Sequence, residues 1–231
     1  MFDFYLFDLD NTILHIPNSS EYFDTILKET LKKLTKNPAD IPDRNERNKF
    51  WFSGDDYIKL LESWGVSDGS YFWKFFDEID FSHRKNLFEQ GKLCLYNDVR
   101  AVLKEISNAN KKLGLISNTA DYIVKYFLDK FDLSHFFHET FGLGYEKDQE
   151  VAKPSPEGIL YVLKKLNYDS NNSRAIMIGD SRLDVFAAKR ANITACLIKR
   201  DLNKYPNKND WEAHPNYEIE SLNELLKFPV E

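Results

Sequence analysis

The chain has 231 residues, 42% of them hydrophobic and 15% aromatic, and carries a formal charge of −6. This is enough apolar material for one large domain or a core with a smaller companion. The acidic balance argues against the clustered basic face that nucleic-acid binding demands. Cys94 and Cys196, each beside a leucine, are expected as free core thiols rather than a disulfide framework. No apolar stretch approaches the ~20 residues that span a bilayer. The start MFDFYLFDLD carries acids and lacks the basic region of a signal peptide. A soluble, cytoplasmic protein without a membrane partner is expected.

In chain order, Phe4 to Phe7 make a first short apolar run, ending in Asp8. From about Pro17 to about Gln90 no strand pattern occurs. Phe23, Ile26, Leu27, Leu31 and Leu34 form a helical stripe after the cap candidates Ser19 and Ser20, and a crowd of aromatics from Phe50 to Phe76 follows. Val99, Val102, Leu103 and Ile106 share a helix face, with Asp98 as its expected N-cap. Lys112 to Ile116 form a second apolar run, ending in Ser117-Asn118. Ile159, Val162, Leu163 and Leu166 make a further helix, opened by Ser155 as cap and Pro156 at its first position. Ala175 to Ile178 end in Gly179-Asp180, and Ala195 to Ile198 form a fourth run. The tail from Asp201 to Pro215 is polar and irregular, and Tyr217-Glu218-Ile219 suit a short edge strand. Short apolar runs bounded by turn residues fit strands buried on both faces of a parallel sheet, and their alternation with helices predicts an open α/β fold. The expected division is a core of 1–16 and 91–231 with an all-helical insert over 17–90.

In open α/β sheets, chemistry collects at the carboxyl ends of the strands. Asp8, Ser117 and Asp180 all fall there, with Asp10 and Asp184 two and four residues beyond the first and last of them. Like charges a few ångströms apart repel by roughly 1–4 kcal/mol per pair between water and surface dielectrics. A fold that gathers them needs a positive partner, and a hard divalent cation with oxygen ligands is the natural one.

Four segments carry a family resemblance. Asp8-Leu9-Asp10-Asn11-Thr12 matches a DxDxT motif, and Leu115-Ile116-Ser117-Asn118-Thr119 a strand ending in Ser or Thr. Lys153-Pro154-Ser155-Pro156 matches a Lys before a helix, and Gly179-Asp180-Ser181-Arg182-Leu183-Asp184 a GDxxxD motif. In this order the chain resembles the haloacid dehalogenase-like hydrolase superfamily over nearly its whole length. The resemblance implies a Rossmann-like open parallel sheet core with a small helical cap, and a phosphomonoester hydrolase acting on a small phosphorylated metabolite. It implies Asp8 as nucleophile, attacking phosphorus to form an aspartyl-phosphate, and Asp10 as general acid and base. It implies Mg²⁺ held by Asp8, the backbone carbonyl of Asp10 and Asp180, with Asp184 and Thr12 outside the ligand shell and Asp184 orienting water or pairing with Lys153. Ser117, Lys153 and the backbone amides of Leu9 and Asn118 would bind the phosphoryl oxygens. The acid at Asp10 separates phosphoryl transfer from halide chemistry, since a departing halide needs no proton. A phosphomutase and a non-catalytic metal- or phosphate-binding regulator are the alternatives.

Two positions depart from the common pattern. Asn11 stands where many relatives have Gly, and Leu183 replaces the Asn of a frequent Asn-Asp pair. The insert resembles a cap that closes over the site and reads the leaving group. Arg44, Arg47, Lys49, Trp51 and Phe52 are its candidates for substrate contact, against the plainer reading of aromatics as cap core and arginines in solvent. His15 follows the first motif, where a substrate contact competes with an exposed or structural role. His83, His135, His138 and His214 show no metal-ligand spacing. Monomer and dimer are both compatible with the sequence.

Overall fold

Every apolar run read as a strand becomes one, because each is bounded by turn-forming residues and bears side chains that pack on both faces. The computed structural model describes residues 2–37, 41–144, 149–201 and 211–228, the side chains of residues 52 and 55 excepted. In chain order these form β1 (Phe4–Phe7), β2 (Leu14–His15), α1 (Ser19–Leu34), α2 (Arg44–Asn48), α3 (Tyr57–Ser63), α4 (Phe72–Glu89), β3 (Cys94–Leu95) and α5 (Val99–Asn108). There follow β4 (Lys112–Ala120), α6 (Asp121–Lys130), β5 (Glu139–Leu143), α7 (Glu157–Lys165), β6 (Ala175–Gly179), α8 (Arg182–Arg190), β7 (Thr194–Ile198) and β8 (Tyr217–Ile219). Two compact units result. One is α/β and comprises Met1–His15, Cys94–Leu143 and Val151–Glu231; the other comprises Ile16–Leu93 and Gly144–Glu150.

In the α/β unit six strands pair in the order β5-β4-β1-β6-β7-β8, all parallel. β1 is central, with Phe7 in register with Leu115 of β4 and Ile178 of β6. The residues after these positions, Asp8, Ile116-Ser117 and Gly179-Asp180, therefore emerge at one edge of the sheet. β1 and β6 are buried along their whole length. Phe4, Leu6, Ile159, Val162, Met177, Val185, Ala188 and Leu197 belong to one apolar cluster, whose burial stabilises the unit by ~25 cal/mol per Å² of apolar area removed from water. Gly114 in β4 permits the close approach of α7: a Cβ there would stand 2.6 Å from Val162 Cγ1.

Four local expectations are corrected. Asp98 precedes α5 without capping it, because Arg200, Ser221 and the Leu222 amide take its carboxylate. Asn18, not Ser19 or Ser20, occupies the cap position of α1, and it makes no side-chain cap bond. Helix α7 starts at Glu157, one residue later than expected, and Ser155 Oγ only weakly meets the Glu157 amide at 3.4 Å. Cys94 is exposed, on the short strand β3, whereas Cys196 is buried. Of the polar tail, residues 202–210 lie outside the described residues, as does the side chain of Phe52. Among the described residues no helix is long and apolar enough to cross a membrane.

In the helical unit α1 packs on α4, burying Ile26, Leu27 and Leu31 of the one and Phe72, Phe76 and Ile79 of the other. Phe50 is the centre of an aromatic cluster with Trp51, Tyr57, Trp64, Phe72 and Trp73. Most of the aromatics are thus packed on one another. Arg47 is not in solvent: it is buried and grips Asp24 with two bonds of 2.8 and 2.7 Å. A second buried pair joins Arg84 to Asp80 at 2.9 Å, and Tyr22 donates to Asp80 at 2.5 Å.

One turn earlier on α4, burial and the neighbouring Asp80 push the Asp77 carboxyl up to about 7, against the pull of Arg84. The folded chain then retains a proton that the unfolded chain releases near the ordinary aspartate value of ~3.9. Folding binds the extra proton in that window, so this group's contribution to stability is full below it and is lost as pH rises through about 7. Asp77→Asn should reduce the fall in urea midpoint between pH 5 and pH 8, measured beside the wild type; an identical fall in both proteins would contradict the assignment.

Candidate active site

Asp8 is the first residue past β1, and its amide is tied to Ile178 O at 2.9 Å. The chain then reverses tightly. The Ile13 and Leu14 amides both donate to Leu9 O at 2.9 Å, and Asn11 takes a left-handed φ of 53°. Asn is among the few residues with a side chain that tolerate this region, which is also open to the Gly many relatives carry there. Thr12 Oγ1 lies 3.4 Å from Asp8 Oδ2.

Lys153 enters from the segment before α7. Its Nζ donates to Asp8 Oδ1 at 2.5 Å, to Asp184 Oδ1 at 2.6 Å and to Ile116 O at 3.0 Å. An ammonium has three hydrogens, and each has an acceptor. The Lys153 main chain is fixed as well. Asn118 accepts from its amide at 2.8 Å and donates to its carbonyl at 2.9 Å. Ser117 is buried, and its hydroxyl accepts from the Thr119 amide at 3.1 Å. Thr119 in turn donates to Asp10 Oδ2 at 2.8 Å.

Asp184 reaches the cluster because it closes a capping box. Ser181 caps α8 and accepts from the Asp184 amide, while Asp184 Oδ2 accepts from the Ser181 amide at 3.0 Å and its hydroxyl at 2.6 Å. Both Asp184 oxygens therefore serve protein donors. Gly179 makes room for this, since a Cβ there would lie 2.1 Å from Asp184 Cγ.

Asp8, Asp180 and Asp184 are all buried and offer oxygens within 4.8 Å of one another. Burial raises the Asp8 carboxyl well above the usual carboxylate range; Lys153 opposes this, while Asp184, Asp180 and Asp10 add to it. Burial alone would depress Lys153, yet Asp184 and Asp8 raise it above an ordinary lysine. Three buried acids thus lie within reach of one another, and two of them share Lys153. Buried, all-oxygen and acid-rich, this donor set fits a hard cation such as Mg²⁺. Asp8, Asp180 and Asp184 are the carboxylates that could hold it; Lys153 also engages Asp8 and Asp184, and Ser181 engages Asp184.

The sequence-selected residues Asp8, Lys153, Asp180 and Asp184 thus meet, and Asp10, Ser117 and Asn118 join them through Thr119 and Lys153. Leu9 is buried within the first loop. The side chains of Asn118, Thr119 and Ser181 carried no assigned role. Only Ser181 had a local signal, the S-x-x-D spacing of a capping box.

An open parallel sheet with a buried lysine–carboxylate centre at its carboxyl edge defines an α/β protein built for chemistry at a charged group. The sequence profile of the haloacid dehalogenase-like hydrolases matches residues 5–198, and the chain belongs to that family. A phosphoglycolate phosphatase from Colwellia psychrerythraea is 28% identical over 96% of this chain and 94% of its own length. The pyrophosphatase PpaX of Listeria monocytogenes is 26% identical over 96% and 93%. The fold is shared with CbbY from Rhodobacter sphaeroides in complex with xylulose-(1,5)bisphosphate, at a TM-score of 0.69 and 18% identity over 97% of this chain and 96% of that one.

Removing one partner of a buried ion pair typically costs ~3–5 kcal/mol, because the other charge stays buried. Lys153→Ala should lose about that much stability at neutral pH with chelator present, read by urea denaturation. Gly179→Ala should lose roughly 1–3 kcal/mol as its Cβ displaces Asp184. An unchanged midpoint in either variant would contradict the arrangement described.

Proposed function

We propose that the chain is a phosphatase that hydrolyses phosphomonoesters of small metabolites through Asp8. The observation that carries this reading is the convergence of Asp8, Asp180 and Asp184, with oxygens within 4.8 Å of one another and Lys153 bonded to the first and last of them. The relative named as a phosphoglycolate phosphatase supports this class of substrate, and the one named as a pyrophosphatase supports hydrolysis at phosphorus more generally.

In this reading an Asp8 oxygen attacks phosphorus and the bond from phosphorus to the leaving oxygen breaks. Asp10 gives its proton to that oxygen. A water then loses a proton to Asp10, attacks the phosphorus of the aspartyl-phosphate and releases inorganic phosphate, restoring the Asp8 carboxylate. Lys153 offers its positive charge, and Ser117 and the amides of Leu9 and Asn118 offer donors, to the phosphoryl oxygens, whose charge changes during transfer. Mg²⁺, held by Asp8, Asp180 and the Asp10 carbonyl, would offset the repulsion between carboxylate and phosphate. Thr12 and Asp184 orient Asp8 and Lys153. The helical unit 17–90 is the proposed cap that selects among leaving groups.

The purified protein with Mg²⁺ should release inorganic phosphate from an aryl phosphate and from a panel of phosphorylated metabolites. Asp8→Asn should abolish this, and Asp180→Asn should abolish the rise in melting temperature on Mg²⁺ addition. A positional isomer in place of inorganic phosphate would make the enzyme a mutase. Turnover surviving in Asp8→Asn would refute the nucleophile.

A further inference from the structure

We propose that Thr119 is a positioning residue for Asp10, an inference that rests on the reading of Asp10 as the acid and base of the reaction. The supporting geometry is a contact that joins the first of the four motif segments to the second. Asp10 sits on the loop after β1, two residues past Asp8. An aspartate side chain has two rotatable bonds, so its carboxylate needs a restraint to point one way. Thr119 supplies the restraint from 109 residues away, its hydroxyl donating to Asp10 Oδ2 at 2.8 Å.

The donor is itself well placed. Pairing between β4 and β5 shifts register between Ile116 and Ala120, so Ser117, Asn118 and Thr119 lie in an irregular stretch of β4. Such irregularities re-aim side chains at the ends of strands. Here three successive residues engage three different partners. Ser117 accepts from the Thr119 amide, Asn118 holds the Lys153 main chain, and Thr119 holds Asp10. The Thr119 amide bond fixes the backbone from which its hydroxyl reaches out. Its β-branched side chain has few χ1 choices, so little freedom is lost in making the bond.

A hydroxyl also suits a partner that gains and loses a proton. It donates to an ionised carboxylate and accepts from a protonated one, so the contact survives both halves of the cycle. A residue that placed the acid in only one protonation state would serve only one of the two steps. Thr119 therefore sets the orientation of Asp10 throughout turnover, and a misplacement of about 1 Å at such a group is enough to cost ~100-fold in rate.

Leaving-group dependence tests this. A p-nitrophenolate departs without help, whereas an alkoxide needs a proton. Thr119→Val keeps the shape and removes the hydroxyl; Thr119→Ser keeps the hydroxyl. The measurement is kcat/KM with Mg²⁺ on p-nitrophenyl phosphate and on an alkyl phosphate, because kcat/KM covers the steps up to leaving-group departure. Asp10→Asn is the reference. Thr119→Val should lose ~10–100-fold more on the alkyl than on the aryl ester, a fraction of the ~10²–10⁴-fold that acid–base catalysis supplies. Thr119→Ser should recover most of the alkyl turnover. Equal losses on both esters, no loss on either, or a serine variant no better than valine would overturn the proposal. If Asp10→Asn itself loses no more on the alkyl ester than on the aryl ester, the reading of Asp10 fails, and the role of Thr119 fails with it.

Discussion

The site depends on one buried ammonium group. Lys153 Nζ spends its three hydrogens on Asp8, Asp184 and Ile116 O, and these acceptors come from the end of β1, the first turn of α8 and strand β4. A lysine taken out of water loses hydration that only well-placed acceptors replace. The three elements must therefore be in place together before the lysine is satisfied. Because β1 lies between β4 and β6 in a parallel sheet, they are. The topology that buries the apolar runs also brings the charges into contact.

Around this point, ordinary local devices acquire a second use. The capping box that starts α8 satisfies amides that every helix start leaves open. In closing it, Ser181 also fixes the carboxylate whose other oxygen meets Lys153. Gly179 follows from the same packing, since the space a Cβ would fill is already taken by Asp184. Asn118 completes the frame by pairing both polar groups of its amide with the Lys153 main chain, leaving none of them to be desolvated without a partner.

How much of this the sequence reveals follows from the range of the interactions. The strands under Asp8 and Asp180 are legible because apolar runs ending in turn residues are a local signal. The acids beyond them are legible by position in the sheet. Strand β5 is not, because Glu-Thr-Phe-Gly-Leu at a sheet edge is only partly buried and mixes polar with apolar residues. Asp98 looks like a helix cap by spacing alone, and only the fold reveals that Arg200 and Ser221, from over 100 residues away, compete for it. Arg47 reads as a solvent arginine until the fold brings Asp24 beside it. Cys94 reads as core from its leucine neighbours, yet it lies on a two-residue strand that leaves it exposed. In each case a local pattern gives way to a partner or a burial set by tertiary contacts. The side-chain roles of Asn118 and Thr119 are hidden for the same reason.

The charge balance bears on why such a centre exists at all. A structural ion pair needs one lysine and one carboxylate, and even that is often no better than a well-packed apolar pair. Here the lysine is shared by two carboxylates, and Asp180 adds a third acid that offers oxygens within 4.8 Å of the others. Packing does not call for the additional acids, since the strands beneath are apolar and buried without them. Burial, together with their repulsion, raises the Asp8 carboxyl, which is a cost to the fold. Sites that retain such a cost are commonly those where perturbed groups act on a ligand. A hard cation set among these oxygens would turn the repulsion into coordination. The local instability of the isolated cluster and its fitness for phosphoryl chemistry then have the same physical origin.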